Sequence, residues 1–219
     1  MIAERLYQAI IDKVTEEHLE FEDAARDCGF DPDTLLECFD AKPNSKPISI
    51  YTLLGREQIE KTADFLECPR VRIFFLADVF KPGDVKEALA APAGEEVEID
   101  KRSLMRSLAR YFEDIGRSQL FGRPDAILEE FTSAALANSL AEACTRMNLP
   151  FKKVDAWRAG EPATLADLPI LRTIAETIGI GIAPVLIATA VAEPGDLLWR
   201  GEPVDPMEEL QKALDIDIW

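Results

Sequence analysis

Four cations, Arg146, Lys152, Lys153 and Arg158, fall within 13 residues of one another and are the side chains best suited to chemistry in this chain. Ammonium and guanidinium groups so spaced can meet successive phosphates, and either can pair with the O6 and N7 acceptors of guanine. The plainer use of the same residues is a solvated helix face whose cations offset acidic surroundings. A second basic set, Lys101, Arg102, Arg106 and Arg110, can extend a phosphate footprint. It can equally be the outer face of an amphipathic helix that turns Leu104, Leu108 and Tyr111 inward. Opposed to both sets is a row of carboxylates, Asp31, Asp33, Glu37 and Asp40. Phosphates repel such a row, so it suits a solvated face or a protein-docking face.

Catalytic chemistry finds little to work with. His18 is the one histidine, and it stands in an acidic segment without a nucleophile spaced to use it. Cys28, Cys38, Cys68 and Cys144 show no C-x-x-C spacing, which argues against a metal site and a disulfide framework and fits a reducing cytoplasm. Gly179-Ile180-Gly181 lacks the third glycine of a dinucleotide fingerprint and follows a helical pattern instead of a strand. The expectation is a cytoplasmic protein that is not an enzyme, with no catalytic residues, no metal and no cofactor. The N-terminus, with Glu4 and Arg5, does not read as a signal peptide. The longest apolar stretch, 178–192, contains Pro184 and is too short to cross a bilayer, so no membrane partner is expected.

The positioning elements are expected to be helices. At 219 residues and 47% hydrophobic, the chain can bury one large core or two modest ones, and its apolar residues recur at helical spacing. The net charge of −17 is uneven. Residues 1–100 hold 11 basic and 23 acidic side chains, residues 101–160 hold 10 and 7, and residues 161–219 hold 3 and 11. Only the middle stretch can approach a polyanion without long-range repulsion.

The order of elements repeats. Lys61-Thr62-Ala63-Asp64-Phe65-Leu66, Ile73-Phe74-Phe75-Leu76 and Pro82-Gly83-Asp84 have a counterpart downstream. It is Thr173-Ile174-Ala175-Glu176-Thr177-Ile178, Val185-Leu186-Ile187-Ala188 and Pro194-Gly195-Asp196, aligned without a gap. A repeat this long is a small domain, so a diverged tandem duplication is expected. In the first copy, Ile2, Leu6, Ile10 and Val14 mark an amphipathic helix, and a second helix over 19–28 stops at Gly29. Asp31 caps a third that starts at Pro32 and reaches about Asp40. A proline-containing loop, a longer helix ending at Leu66 and another over 70–80 complete five. Ala25, four before the glycine, lets the second and third helices approach, and Leu35, six after it, plugs the angle between them. In the second copy Cys144, Asn148 and Val154 take these three roles. Asparagine is the next-best residue after glycine at a left-handed position.

These residues resemble the lambda-repressor-like (Cro/C1 or XRE) helix-turn-helix family, over roughly 70 residues in each copy. The first match runs from Phe21-Glu22-Asp23-Ala24-Ala25 through Gly29 to Thr34-Leu35, with the Ile59–Leu66 helix beyond. The second runs from Leu140-Ala141-Glu142-Ala143-Cys144 through Asn148 to Val154, then Trp157-Arg158-Ala159-Gly160-Glu161-Pro162 and Leu165–Ile178. The resemblance implies an all-α fold of two lambda-repressor-like bundles joined by a linker and additional helices. The expected divisions are an acidic first domain over 1–91, a linker over 92–100, a second domain over 101–204 and a C-terminal tail helix over 205–219.

It also implies transcriptional control, with the third helix of a unit in the DNA major groove. Lys152 and Lys153 stand where the first copy has Asp33 and Thr34. DNA contact is therefore expected through the second unit, at Arg146, Lys152, Lys153 and Arg158. A protein partner, whether RNA polymerase, another regulator or a second copy of the chain, is expected at Asp33, Glu37, Phe74, Phe75 and Trp219. Two alternatives stay open: an adaptor or antiactivator in which neither unit touches DNA, and an acidic mimic of DNA.

Overall fold

Helical periodicity without strand-forming runs becomes an all-α protein. The computed structural model describes residues 4–39, 48–80 and 124–197, and these contain no strand. They divide into two compact units, one within 4–80 and the other within 124–197. The expected linker (92–100), the basic helix at Lys101 to Arg110, the tail (205–219) and the exact domain boundaries lie outside the described residues.

In the first unit, helix α1 (Glu4–Glu17) buries Leu6 and Ile10. Helix α2 (Phe21–Asp27) ends at Gly29, whose φ of +78° is the left-handed conformation that glycine adopts without strain. Helix α3 (Pro32–Phe39) follows. Asp31 caps it, its Oδ1 accepting from the Thr34 amide at 2.9 Å and the Thr34 hydroxyl at 2.6 Å. Those two donors hold the Asp31 carboxyl below its usual range, the hydroxyl first. Ala25 and Leu35 are both buried, as the tight turn requires. The expected long fourth helix is broken: α4 (Ile50–Leu53) is one turn, and α5 (Arg56–Phe65) starts afresh after Gly55. Gln58 explains the restart. Its Oε1 accepts from the Gly55 amide at 3.2 Å while its Nε2 donates to the Gly29 carbonyl at 3.2 Å, tying α5 to the α2–α3 turn. Helix α6 (Arg70–Leu76) closes the unit, shorter than expected because Asp78 turns left-handed.

The second unit comprises α7 (Pro124–Ala134), α8 (Leu140–Arg146), α9 (Phe151–Arg158), a 3-10 turn (Leu165–Asp167), α10 (Leu168–Ile178), α11 (Ile182–Ala188) and a closing 3-10 turn (Pro194–Leu197). Its turns repeat those of the first. The Leu149 amide donates to Cys144 O at 2.7 Å, as Phe30 does to Ala25 O at 2.8 Å. Asn148 has φ +54°, matching Gly29. After α11, Val191 donates to Leu186 O at 2.9 Å, as Val79 does to Phe74 O at 2.8 Å, and Ala190 and Asp78 are both left-handed. In each unit the first helix packs on the second and the last, the second on the third, and the fourth long helix on the last. Burial repeats too: Ala63 and Ala175 are buried within α5 and α10, and Leu35 and Val154 within α3 and α9.

One expectation about surfaces is corrected here. Phe74 and Phe75 are each only 1% exposed and pack on Phe80 with ring centroids 5.5 and 5.2 Å away. Helix α6 buries Val71, Ile73, Phe74, Phe75 and Leu76 together, because α1 covers one side of it and α5 another. The two phenylalanines are core of the first unit and present no surface to a partner.

Candidate functional site

The exposed faces of α3 and α9 carry the predicted side chains, and opposite charges mark them. On α3, Asp33, Leu36 and Glu37 are exposed, with Leu35 beneath them in the core. Leu36 is 37% exposed, an apolar residue flanked by carboxylates on a helix that buries Leu35 alone. Asp31, expected on the same acidic face, is instead engaged by the Thr34 amide and hydroxyl in the cap.

On α9, Val154 and Trp157 are buried while Phe151, Lys152, Lys153 and Arg158 are exposed. Trp157 is therefore core, as its apolar position implies. The cations are less available than their exposure suggests. Lys153 pairs with Asp167, a carboxylate only 4% exposed that also accepts from the Thr164 amide at 3.2 Å and the Thr164 hydroxyl at 3.3 Å. Arg158 pairs with Asp155 one turn back, and it lines a hollow shared with Asp125 and Glu129. Lys152 forms no ion pair with the described residues.

Arg146 is placed elsewhere, at the end of α8. Its Nη2 bonds Glu142 at 2.6 Å, and its Nη1 donates to the carbonyls of Ala135 and Leu136. Glu142 in turn accepts from the Asn138 amide at 2.9 Å and from Asn138 Nδ2 at 3.1 Å. The Asn138 backbone and side chain, more than Arg146, hold the Glu142 carboxyl below its usual range. The network fixes the α7–α8 loop, where Leu136 is left-handed (φ +53°) and strongly exposed. Arg146 thus organises a loop, with its guanidinium spread over a carboxylate and two carbonyls.

The structure brings Lys152, Lys153 and Arg158 onto one helix, sets Arg146 one helix away, and puts Asp33 and Glu37 in the other unit. Trp219 lies outside the described residues. Residues missed by sequence reasoning are the countercharges and the exposed apolar side chains. Glu142 and Asp155 stand four and three residues before their arginines, a spacing that already signals intrahelical pairs. Asp167 gives no such sign, since only the fold carries it to Lys153. Among the described residues no group of His, Cys, Asp and Glu is arranged to hold a metal, and no single helix is long and apolar enough to cross a membrane. Burial pushes the Cys28 thiol up to about 12.

Compared with family models, curated proteins and solved structures, the chain matches none. The functional reading therefore rests on residues and geometry.

Proposed function

We propose that the chain is a transcription regulator of two diverged lambda-repressor-like helix-turn-helix units, in which protein docking by the first unit is the principal activity. The recurrent turns at Gly29 and Asn148, with Ala25 and Cys144 before them and Leu35 and Val154 after, support this reading of the units. The observation that carries the docking role is Leu36, exposed between Asp33 and Glu37 on α3. In a DNA-reading unit that face meets phosphates and bases, and carboxylates there are repelled. An apolar anchor rimmed by acids suits a protein groove with a basic rim. RNA polymerase is the partner to test first, ahead of another regulator or a second copy of the chain. The reading involves no catalysis and needs no cofactor.

Retention of purified bacterial RNA polymerase on the immobilised full-length chain tests the docking face. The wild-type chain should retain polymerase, and both Leu36→Ser and Asp33→Lys/Glu37→Lys should lose it. Equal retention by all three proteins would remove α3 from the proposal.

DNA contact in this proposal passes through the second unit, and chiefly through Lys152. A second reading, an adaptor in which neither unit touches DNA, is favoured by one observation: Arg146, Lys153 and Arg158 are each paired with a carboxylate of their own unit. Salt-dependent binding to duplex DNA that Lys152→Glu abolishes supports contact by the second unit. Absence of binding at low salt supports the adaptor.

A further inference from the structure

We infer that Asp167 limits the affinity of the second unit for nucleic acid by withholding Lys153 from phosphate. The inference rests on the reading of α9 as the face turned toward DNA.

The geometry separates two adjacent lysines. Lys152 and Lys153 are both exposed on α9, but only Lys153 is paired, with a carboxylate that is almost fully buried. A buried carboxylate cannot regain water when its partner leaves, so it holds a cation more firmly than an exposed one does. Asp167 is itself fixed by the Thr164 amide and hydroxyl, at the 3-10 turn that leads into α10. It therefore cannot follow Lys153 toward an approaching strand. The pairs Glu142–Arg146 and Asp155–Arg158 act in the same direction, but their carboxylates are about one-third exposed and can be displaced more easily. A phosphate approaching α9 meets one available ammonium, Lys152, where the sequence offers four cations.

Anisotropy of a labelled mixed-sequence DNA duplex, titrated with the full-length chain across a salt series, tests this directly. Asp167→Asn removes the charge and keeps an acceptor for Thr164. It should tighten binding at low salt by about tenfold and steepen the slope of log K against log salt by about 0.9, the contribution of one added phosphate contact. The double variant Asp167→Asn/Lys153→Ala should return to the wild-type slope. An Asp167→Asn protein with the wild-type melting temperature and an unchanged slope would overturn the inference.

Amine labelling, read by mass spectrometry, provides a measure that does not depend on DNA. Lys153 should react more slowly than Lys152 in the wild-type chain and equally fast in Asp167→Asn. Equal reactivity in the wild-type chain would overturn the shield even if DNA binding were observed. Slow labelling relieved by Asp167→Asn, with neither protein binding DNA, would uphold the shield of Lys153 and defeat the DNA reading of α9.

Discussion

Two neighbouring lysines with the same charge and similar exposure do different work here. Lys152 projects from α9 with no ion-pair partner among the described residues, while Lys153 neutralises a carboxylate sunk in the protein. Removing a surface lysine that touches nothing changes stability little, within about 0.5 kcal/mol. Removing the partner of a buried acceptor leaves its desolvation unopposed, at a cost of about 1 kcal/mol where other donors remain, as Thr164 does. Urea unfolding should therefore show Lys153→Ala clearly less stable than wild type and Lys152→Ala indistinguishable from it. A charge-reversal test of DNA contact must also avoid Lys153, since Lys153→Glu would set a second carboxylate against Asp167. Lys152→Glu carries no such confusion.

At the scale of the element, helix ends set the pH response. Asp31 caps α3, and Glu142 closes the first turn of α8 onto the preceding loop, where Ser139 Oγ accepts from the Glu142 amide at 3.2 Å. Both carboxyls are held below their usual values by the hydrogen bonds they accept. A carboxyl depressed in the folded state stabilises fully above its unfolded pKa, and that contribution disappears as pH falls through the folded value. The window thus begins near the ordinary carboxylate range of about 4 and extends below it. Melting temperature should fall as pH drops below about 4, and Asp31→Asn/Glu142→Gln should flatten that part of the curve while starting lower at neutral pH. Circular dichroism melts across the acid range measure this. Gln58 also accounts for the break between α4 and α5. Its bond to Gly55, three residues back, is a local cap, whereas its bond to the Gly29 carbonyl joins segments 29 residues apart and leaves no record in a local pattern.

At the scale of the whole molecule, the buried apolar side chains among the described residues fall into two clusters, one in each unit. In the first, Phe74, Phe75 and Phe80 form an aromatic group under α1 and α5, and in the second Phe131, Leu171, Ile174 and Leu186 are buried. Truncating a fully buried phenylalanine costs about 3–5 kcal/mol through lost burial and the cavity it leaves. Phe75→Ala should destabilise the first unit by that amount, and hydrogen exchange should accelerate among amides of 4–80 with those of 124–197 unchanged. Were Phe75 a docking residue, the variant would lose partner binding at unchanged stability, so the two roles separate cleanly. Charge is distributed at this scale as well: the acidic first 100 residues are barred from polyanions by long-range repulsion, and only the middle of the chain has a basic excess.

The sequence by itself determined the helical class and several of the turns. Helical spacing of apolar residues, glycine or asparagine at a left-handed position, and a capping aspartate are local signals that act through neighbours in the chain. Ala25, Leu35, Cys144 and Val154 were readable for the same reason, since their roles are fixed by their distance from a turn. Tertiary structure alone decided which charged and aromatic residues are available. Phe74 and Phe75 look like a surplus of apolar surface until α1 and α5 cover them. Lys153 looks like a free cation until the fold brings up Asp167 from 14 residues away. Burial and countercharge depend on what packs against a residue from outside its own segment, and periodicity within a segment does not encode that.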